Sequence, residues 1–410
     1  KINKKSFNVA SEIFDLKMLD GRHTDTNFFI DNKNFEASKS IFYITEKHSP
    51  ILKQNGYNSS NINEISKSKK INIINLNNLT MPLDSILNKF KWYLKMCISS
   101  FSNNSTLIYN LLPDILNEQI DYETLFHHFE IQNHIHFINP NGRAPLLLNS
   151  STITGLCRQN NTRSCGIQNR IIDAREYEFC FDNYDVYFSW GQSWVDTLGT
   201  ALCFVKEVVI VGTFNLSEEI FNLKRKLELK KFDKKNNKQV LIFPSDIDIN
   251  TSLYSGSFYS LSYNINFLKS CLILANNYPN IIFYYKIKHP YHLEVLENTE
   301  EFKKMNLQDY NNFVILNNPL SDYFDKLLVS DLVISIGFTS PGIDALLLNI
   351  KSIYFSQLFN AGKAFKVIPN FVSESIEELI YIFNKLIKND TQIKTNNLKL
   401  IDPYRDGKSI

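Results

Sequence analysis

Residues 331–355 read DLVISIGFTSPGIDALLLNIKSIYF. Residues 332–336 are a short, unbroken apolar run of the kind buried on both faces of a parallel sheet. Gly337 to Gly342 punctuates that run as a tight turn. Ser340 suits the position before a helix, and Pro341 the first helical position, where a missing N–H costs nothing. Residues 343–348 supply an apolar helical face, and 352–355 begin the next strand. The product is a helix N-terminus at the carboxyl end of a buried strand, flanked by the hydroxyls of Thr339 and Ser340. Free N–H groups and the positive end of the helix dipole suit such a place to a carboxylate or phosphate. The same pattern also fits a strand-to-helix turn that binds nothing.

Outward from that unit the rhythm repeats. Residues 239–243 (QVLIF), 281–287 (IIFYYKI) and 313–316 (FVIL) read as strands, and 258–277, 323–329 and 374–388 as helices. Earlier in the chain, strands are predicted at 40–45 (SIFYIT), 71–76 (INIINL), 134–138 (HIHFI), 184–190 (YDVYFSW) and 207–211 (EVVIV). Helices are predicted at 81–98, 122–129 and 193–204. The segment TITGLCRQNNTRSCGIQNR (152–170) reads as a strand, a polar loop, and a second short strand or turn from Cys165. Residues 1–34 show no clear element, and LDGRHTDTN (19–27) reads as a polar loop. Alternating strands and helices imply βαβ units and parallel sheets. A chain of 410 residues is too long for one core and suits two domains. The charged stretch 217–238 reads as a helix and solvated linker. The fold class expected is therefore α/β, with two Rossmann-like domains over 1–232 and 233–410 and a cleft between them.

A hydrophobic content of 44% and a charged content of 21% are ordinary for a globular protein, and a net charge of +2 gives no argument for nucleic-acid binding. The apolar runs are too short to span a bilayer, no secretory leader is recognisable, and no helix reads as clearly basic and amphipathic. A cytoplasmic protein is expected. None of the six cysteines forms a CxxC pair, so no zinc-ligand spacing is present. They read as reduced, scattered thiols, with a Cys157–Cys165 loop disulfide as the alternative.

Two further polar segments fall at strand ends, where open α/β sheets bind ligands. Lys288–His289–Pro290 follows a strand. A histidine held rigid by the next proline can donate to a phosphate or protonate a leaving group, or can be an ordinary surface residue. Gln168–Asn169–Arg170 could present an amide and a guanidinium, or be an ordinary polar turn.

In order, these segments resemble a family. KxHP, followed by a strand ending in S-x-G-x-T-S-P-G-x-D-A-L, resembles GT-B glycosyltransferases of bacterial capsule and lipopolysaccharide synthesis. More narrowly, the pattern is similar to sialyl-, polysialyl- and Kdo-type transferases, which use CMP-activated acidic sugars. GIQNR followed by YDVYFSWG resembles the GIQHG…WG pattern of surface-polysaccharide transferases, with Asn169 and Arg170 standing where that pattern has His and Gly. DPYRDGKS (402–409) is similar to the end of the same families. The resemblance spans roughly residue 166 to the C-terminus, by scattered short motifs.

The resemblance implies an inverting glycosyltransferase that moves an acidic sugar from a CMP donor to a surface glycan or glycolipid, at the inner face of the cytoplasmic membrane or in the cytoplasm. His289 is expected to bind the CMP phosphate and protonate it as it leaves. Lys288, Pro290, Ser335, Gly337, Thr339, Ser340 and Gly342 are expected around the donor, with Asp344 on the ribose and Ser245 and Asp246 in the loop lining the nucleotide. Gln168, Asn169 and Arg170 are expected on the acceptor side. Asp20 is the expected general base, with Asp173 and Glu176 as competitors. No cofactor and no essential metal are expected, since no DxD sits at a strand end, although Asp246–Ile247–Asp248 has the spacing. A CDP-glycerol or CDP-ribitol phosphotransferase shares the His and Ser elements, and a non-catalytic glycan-binding or scaffold domain is the alternative from another class.

Overall fold

The structure, a computed structural model, describes residues 4–13, 36–45, 59–99, 116, 119–137, 146–168, 183–198, 204–213, 222–225, 238–247, 260–317, 323–336, 340–356, 365, 368–388 and 398–403. It forms two parallel-sheet α/β units, the two Rossmann-like domains of the expected GT-B fold class.

The first unit carries a seven-stranded sheet in the order β3-β2-β1-β4-β5-β6-β7. Its strands are β1 (Lys5–Glu12), β2 (Ser40–Ile44), β3 (Asn72–Asn75), β4 (Phe129–Phe137), β5 (Arg163–Ile167), β6 (Val186–Ser189) and β7 (Glu207–Ile210). Its helices include α1 (Ser59–Lys69), α2 (Leu83–Ser99) and α3 (Leu146–Gln159). The second unit carries a six-stranded sheet in the order β10-β9-β8-β11-β12-β13. Its strands are β8 (Gln239–Phe243), β9 (Ile282–Lys286), β10 (Phe313–Leu316), β11 (Leu332–Ile336), β12 (Lys351–Phe355) and β13 (Val372–Ser373). Helix α4 (Gln192–Leu198) belongs to this unit, with α5 (Leu261–Asn277), α6 (Pro290–Glu297), α7 (Tyr323–Val329), α8 (Pro341–Leu347) and α9 (Ile376–Lys388). Every strand pair is parallel. Side chains from β8, β9, β11 and β12 and from α5 and α9 form one core, with Phe267 stacked on Phe355 and Phe283 on Phe383.

Two expectations change. The first residues do carry an element: β1 sits between β2 and β4 inside the sheet, with Phe7 and Ala10 buried. The strand read at the start of the 152–170 segment is instead the second half of α3. Ile153, Leu156 and Cys157 are buried at helical spacing, and the Thr154 hydroxyl donates to Ser164 Oγ at 3.0 Å. Packing on one face overrides local propensity here. Cys157 and Cys165 are free buried thiols, so the disulfide alternative fails.

The compact units divide at Ile210/Val211, ahead of the 232/233 boundary, and the second unit also takes in residues 190–198. The reason is aromatic. Trp194 packs edge-on against both Trp190 and Phe365, and its indole N–H donates to the Ile401 carbonyl at 3.2 Å. The Ser193 N–H donates to Leu400, and the Thr213 N–H to the Asp402 carboxylate. A Cβ on Gly191 would lie 2.3 Å from the Ile401 carbonyl oxygen, so the WG pair is a docking place for the 398–402 segment.

The first unit holds a buried titrating group. His134 is fully buried, with Nε2 2.6 Å from the Tyr43 hydroxyl. Burial lowers its pKa to about 3, helped by His136 and opposed by Glu12. Unfolded, the ring titrates near 6.5. Between those values the unfolded chain binds a proton that the native chain refuses. The contribution to stability is therefore full above pH 6.5 and is lost toward pH 3, at about 1.4 kcal/mol per pH unit. Unfolding midpoints measured from pH 7 to 5 are expected to fall on that slope; a flat series contradicts it.

Candidate functional site

In the second sheet β8 is flanked by β9 and β11. The segments leaving these three strands are therefore neighbours at one carboxyl edge. They carry Ser245–Asp246–Ile247 after β8, Lys288–His289–Pro290 after β9, and Ser340 before α8 after β11. The carboxyl ends of β9 and β11 thus stand two strand spacings apart, about 10 Å, on the same edge.

Asp246 is the centre of the cluster. Its carboxylate accepts from Lys288 Nζ at 2.6 Å through Oδ2 and meets His292 Nε2 at 2.7 Å through Oδ1. Oδ1 also accepts from the Ile247 N–H at 3.1 Å, and His289 Nε2 stands 3.9 Å from Oδ2. Burial acts to raise the pKa of Asp246. The hydrogen bond from His292 and the charge and hydrogen bond of Lys288 outweigh it and hold the carboxyl well below the usual range. With Asp246 ionised, the contact requires the proton of His292 on Nε2. His292 is buried and Nδ1 finds no partner among the described residues, so the aspartate anchors this ring.

His289 is different. It occupies the position before α6 but makes no capping bond, and Pro290 opens the helix. Its ring stacks on Tyr291, with centroids 5.5 Å apart, and stands edge-on to His292 at 5.1 Å. Its side chain is 43% exposed. Partial burial lowers its pKa; Asp246 pulls it up, while Lys288 and His292 push it down. The net shift leaves a neutral ring at neutral pH, able to offer one N–H outward. Lys288 is also exposed. The cluster thus presents an ammonium held by one carboxylate and, beside it, an imidazole held by its stacking on Tyr291.

Behind this edge, several predicted ligand contacts are withdrawn into the protein. Ser245 is buried and exchanges hydrogen bonds with Asn264 of α5 at 2.9–3.1 Å, so its role is to tie the loop to the helix. Asn264 also donates to the Asp246 and Ser260 carbonyls. Ser335 is fully buried beneath α8, not open to a ligand, because the side chain on this residue of β11 points at the helix. Gly342 lets the helix approach: a Cβ there would lie 2.3 Å from Ser335 Oγ and 3.3 Å from Ser352 Oγ. Asp344 is only 3% exposed, which withdraws it from a ribose at the surface. Ser340 precedes α8, and Pro341 is at its start, but the Ser340 hydroxyl makes no capping bond. Gln168 is buried in the first unit and accepts from Ser189 Oγ at 3.1 Å, a structural bond rather than an acceptor contact. Asp20, Asn169, Arg170, Asp173, Glu176, Asp248, Gly337 and Thr339 lie outside the described residues.

Sequence reasoning missed His292 and Asn264. The signal for the first was present: His289 and His292 are three apart in a helix that Pro290 starts, which puts both rings on one side. Asn264 had no signal, since its role depends on α5 meeting the loop after β8. Among the described residues no group of His, Cys, Asp or Glu is placed to hold a metal ion.

A second charged place, in the first unit, is lined by Arg158, Arg163, Asp185, Lys206 and Glu207. Its charges are mutually satisfied. Asp185 meets Lys206 at 2.7 Å and Arg158 at 3.2 Å, and Arg163 pairs with Glu207. Burial acts to raise the Asp185 pKa, but bonds from Lys206, Ser164 and Arg158 bring it down to about 2. This is an ion-pair network at the amino ends of β5–β7, the wrong edge for a ligand of an open parallel sheet.

Residues 92–382 match the family described as polysaccharide biosynthesis PFTS motif protein. Among solved structures, the chain is similar to HepE of Anabaena in complex with UDP and glucose, at 11% identity and a TM-score of 0.46, covering 98% of this chain and 94% of that one. It is also similar to MurG of Acinetobacter baumannii, at 9% identity and a TM-score of 0.48, covering 97% and 94%. A Thermobaculum terrenum O-GlcNAc transferase mutant aligns at 8% identity and a TM-score of 0.46, covering 99% and 65%. No curated protein matches the chain in sequence.

Proposed function

The chain belongs to the polysaccharide biosynthesis PFTS motif family, and from that premise we propose that it is a glycosyltransferase that holds the phosphate of a nucleotide-activated sugar at the carboxyl edge of its second sheet. The observation that carries the proposal is the Lys288–Asp246–His292 arrangement with His289 beside it. A negatively charged leaving group needs positive charge and N–H donors already in place, because donors that need not reorganise stabilise developing charge most. Asp246 holds Lys288, and Tyr291 stacks on His289, before any ligand arrives.

In the proposed reaction an acceptor hydroxyl attacks the anomeric carbon as the bond from that carbon to the phosphate oxygen breaks, with inversion. The electron pair leaves with the phosphate, where Lys288 and the His289 N–H meet it. A phosphate beside His289 favours its charged form, which lets the ring pass a proton to the departing group. The acceptor's proton goes to a base, for which Asp20 is the proposed residue.

The finer proposal is a CMP-activated acidic sugar as donor, which the KxHP motif and the Ser/Thr-rich turn support through their resemblance to sialyl- and Kdo-type transferases. Thermal melts with CMP, CDP and UDP divide the donors. A nucleotide that binds only the native state at a hundred times its Kd adds about 2.7 kcal/mol to stability. CMP is expected to raise the melting temperature most. A larger rise with UDP overturns the CMP donor and keeps the transferase. A response to CDP, with release of CMP from CDP-glycerol, points to the phosphotransferase. No response to any of the three contradicts the nucleotide site.

A further inference from the structure

Helix α2 lies with the wrong side out. At 3.6 residues per turn, Leu83, Ile86, Leu87, Phe90 and Leu94 fall within an arc of about 100°, and all five are exposed, Leu83 at 68% and Phe90 at 67%. Ser85, on the opposite side, is buried. A helix that serves its own core turns the apolar stripe inward; this one turns the stripe from Leu83 to Leu94 to solvent. The stripe has charged borders. By the same geometry Lys89 flanks one edge and Lys91 the other, with Lys95 beyond it over the ring of Trp92, at 4.9 Å. The helix holds three lysines against one aspartate, Asp84.

We propose that α2 rests on an anionic phospholipid surface, with its apolar stripe among the acyl chains and its lysines at the headgroups. An exposed apolar stripe edged by lysines, with aromatic residues, is the pattern of a helix lying in the membrane interface. Among the described residues no helix is long and apolar enough to cross a membrane, so the contact is flat. A second copy is a poorer occupant. A two-fold contact puts the same patch on both sides, and the lysine borders would face each other. The sequence reading that no helix is clearly basic and amphipathic changes here, because the outward direction of the apolar positions of 83–94 is visible only in the structure.

Flotation of the full chain tests this, with vesicles of phosphatidylcholine alone and of equal parts phosphatidylcholine and phosphatidylglycerol. The chain is expected to float with the anionic vesicles and to be released by high salt. Leu87→Glu with Phe90→Glu is expected to lower partitioning at least about a hundredfold. Lys89→Glu, Lys91→Glu and Lys95→Glu together are expected to do the same on anionic vesicles alone. Melting temperatures of both variants are expected to stay at the wild-type value. Three results overturn the proposal: a wild-type chain that stays unbound, glutamate variants that melt several degrees lower because the chain itself covers the stripe, or a dimer that the Phe90 variant dissolves while vesicle binding is unchanged.

Discussion

His289→Ala is expected to lower turnover about a hundredfold or more, the usual loss when a positioned proton donor is removed, while leaving the melting temperature close to that of the wild type. Stability is spared because the ring is only half-buried and makes no capping bond to α6; its contacts are the stacked Tyr291 and the edge of His292. The assay is release of nucleotide from the donor that gives the largest thermal shift. The pH profile adds a readout that a merely structural role would not move. In the free chain, burial and the neighbouring Lys288 and His292 lower the pKa of His289 against the pull of Asp246. A bound phosphate raises it again. Activity that needs the protonated ring is lost as pH rises through that pKa. The alkaline fall of kcat, which reports the bound state, is therefore expected at higher pH than that of kcat/KM, which reports the free chain. A His289→Ala chain with full turnover removes this residue from the mechanism.

Gly342→Ala is expected to destabilise the second unit by about 1–3 kcal/mol, the usual result of inserting a methyl group into a filled core. The new Cβ meets Ser335 Oγ at 2.3 Å and Ser352 Oγ at 3.3 Å, beneath a helix whose inward residues are all buried. Neither hydroxyl has a hydrogen-bond partner among the described residues. Ser335→Ala removes a buried, unpartnered hydroxyl, so alone it is expected to be neutral or stabilising. Combined with Gly342→Ala it is expected to recover most of the loss, a coupling that a double-mutant cycle in urea reads directly. Additive losses would mean that the clash lies elsewhere. Turnover of the Ser335→Ala chain decides what the serine is for: a ligand-binding Ser335 would cost activity on removal, and a packing one would not.

The second sheet was nearly all legible in the sequence. β8 was read at its observed bounds and β9 to within a residue at each end, and β11 with α8 came from one apolar run, one Pro and one Gly. Buried parallel strands announce themselves as unbroken apolar runs, and Pro and Gly mark the turns. β1 escaped because KSFNVASE mixes polar and apolar residues, while its place in the sheet comes from partners on both sides, β2 and β4. α3 escaped because Thr and Ile suggest strands until the buried face is known. At the site, the sequence could nominate His289, Lys288 and Asp246 by their positions at strand ends. It could not show that Ser245, Ser335 and Gln168 turn inward, since side-chain direction at a strand end depends on which face is covered and by what. Nor could it reveal Asp246 as the group that organises the cluster, because the carboxylate meets Lys288 and His292 across a gap of more than forty residues.

The most direct measurement is the crystal structure of the chain with the nucleotide that stabilises it most. The phosphate is expected within hydrogen-bond distance of Lys288 Nζ and a nitrogen of His289, with the Asp246–His292 contact kept. A nucleotide whose phosphate lies away from the carboxyl edge of β9, β8 and β11, with Lys288 still on Asp246 and His289 untouched, would contradict the account.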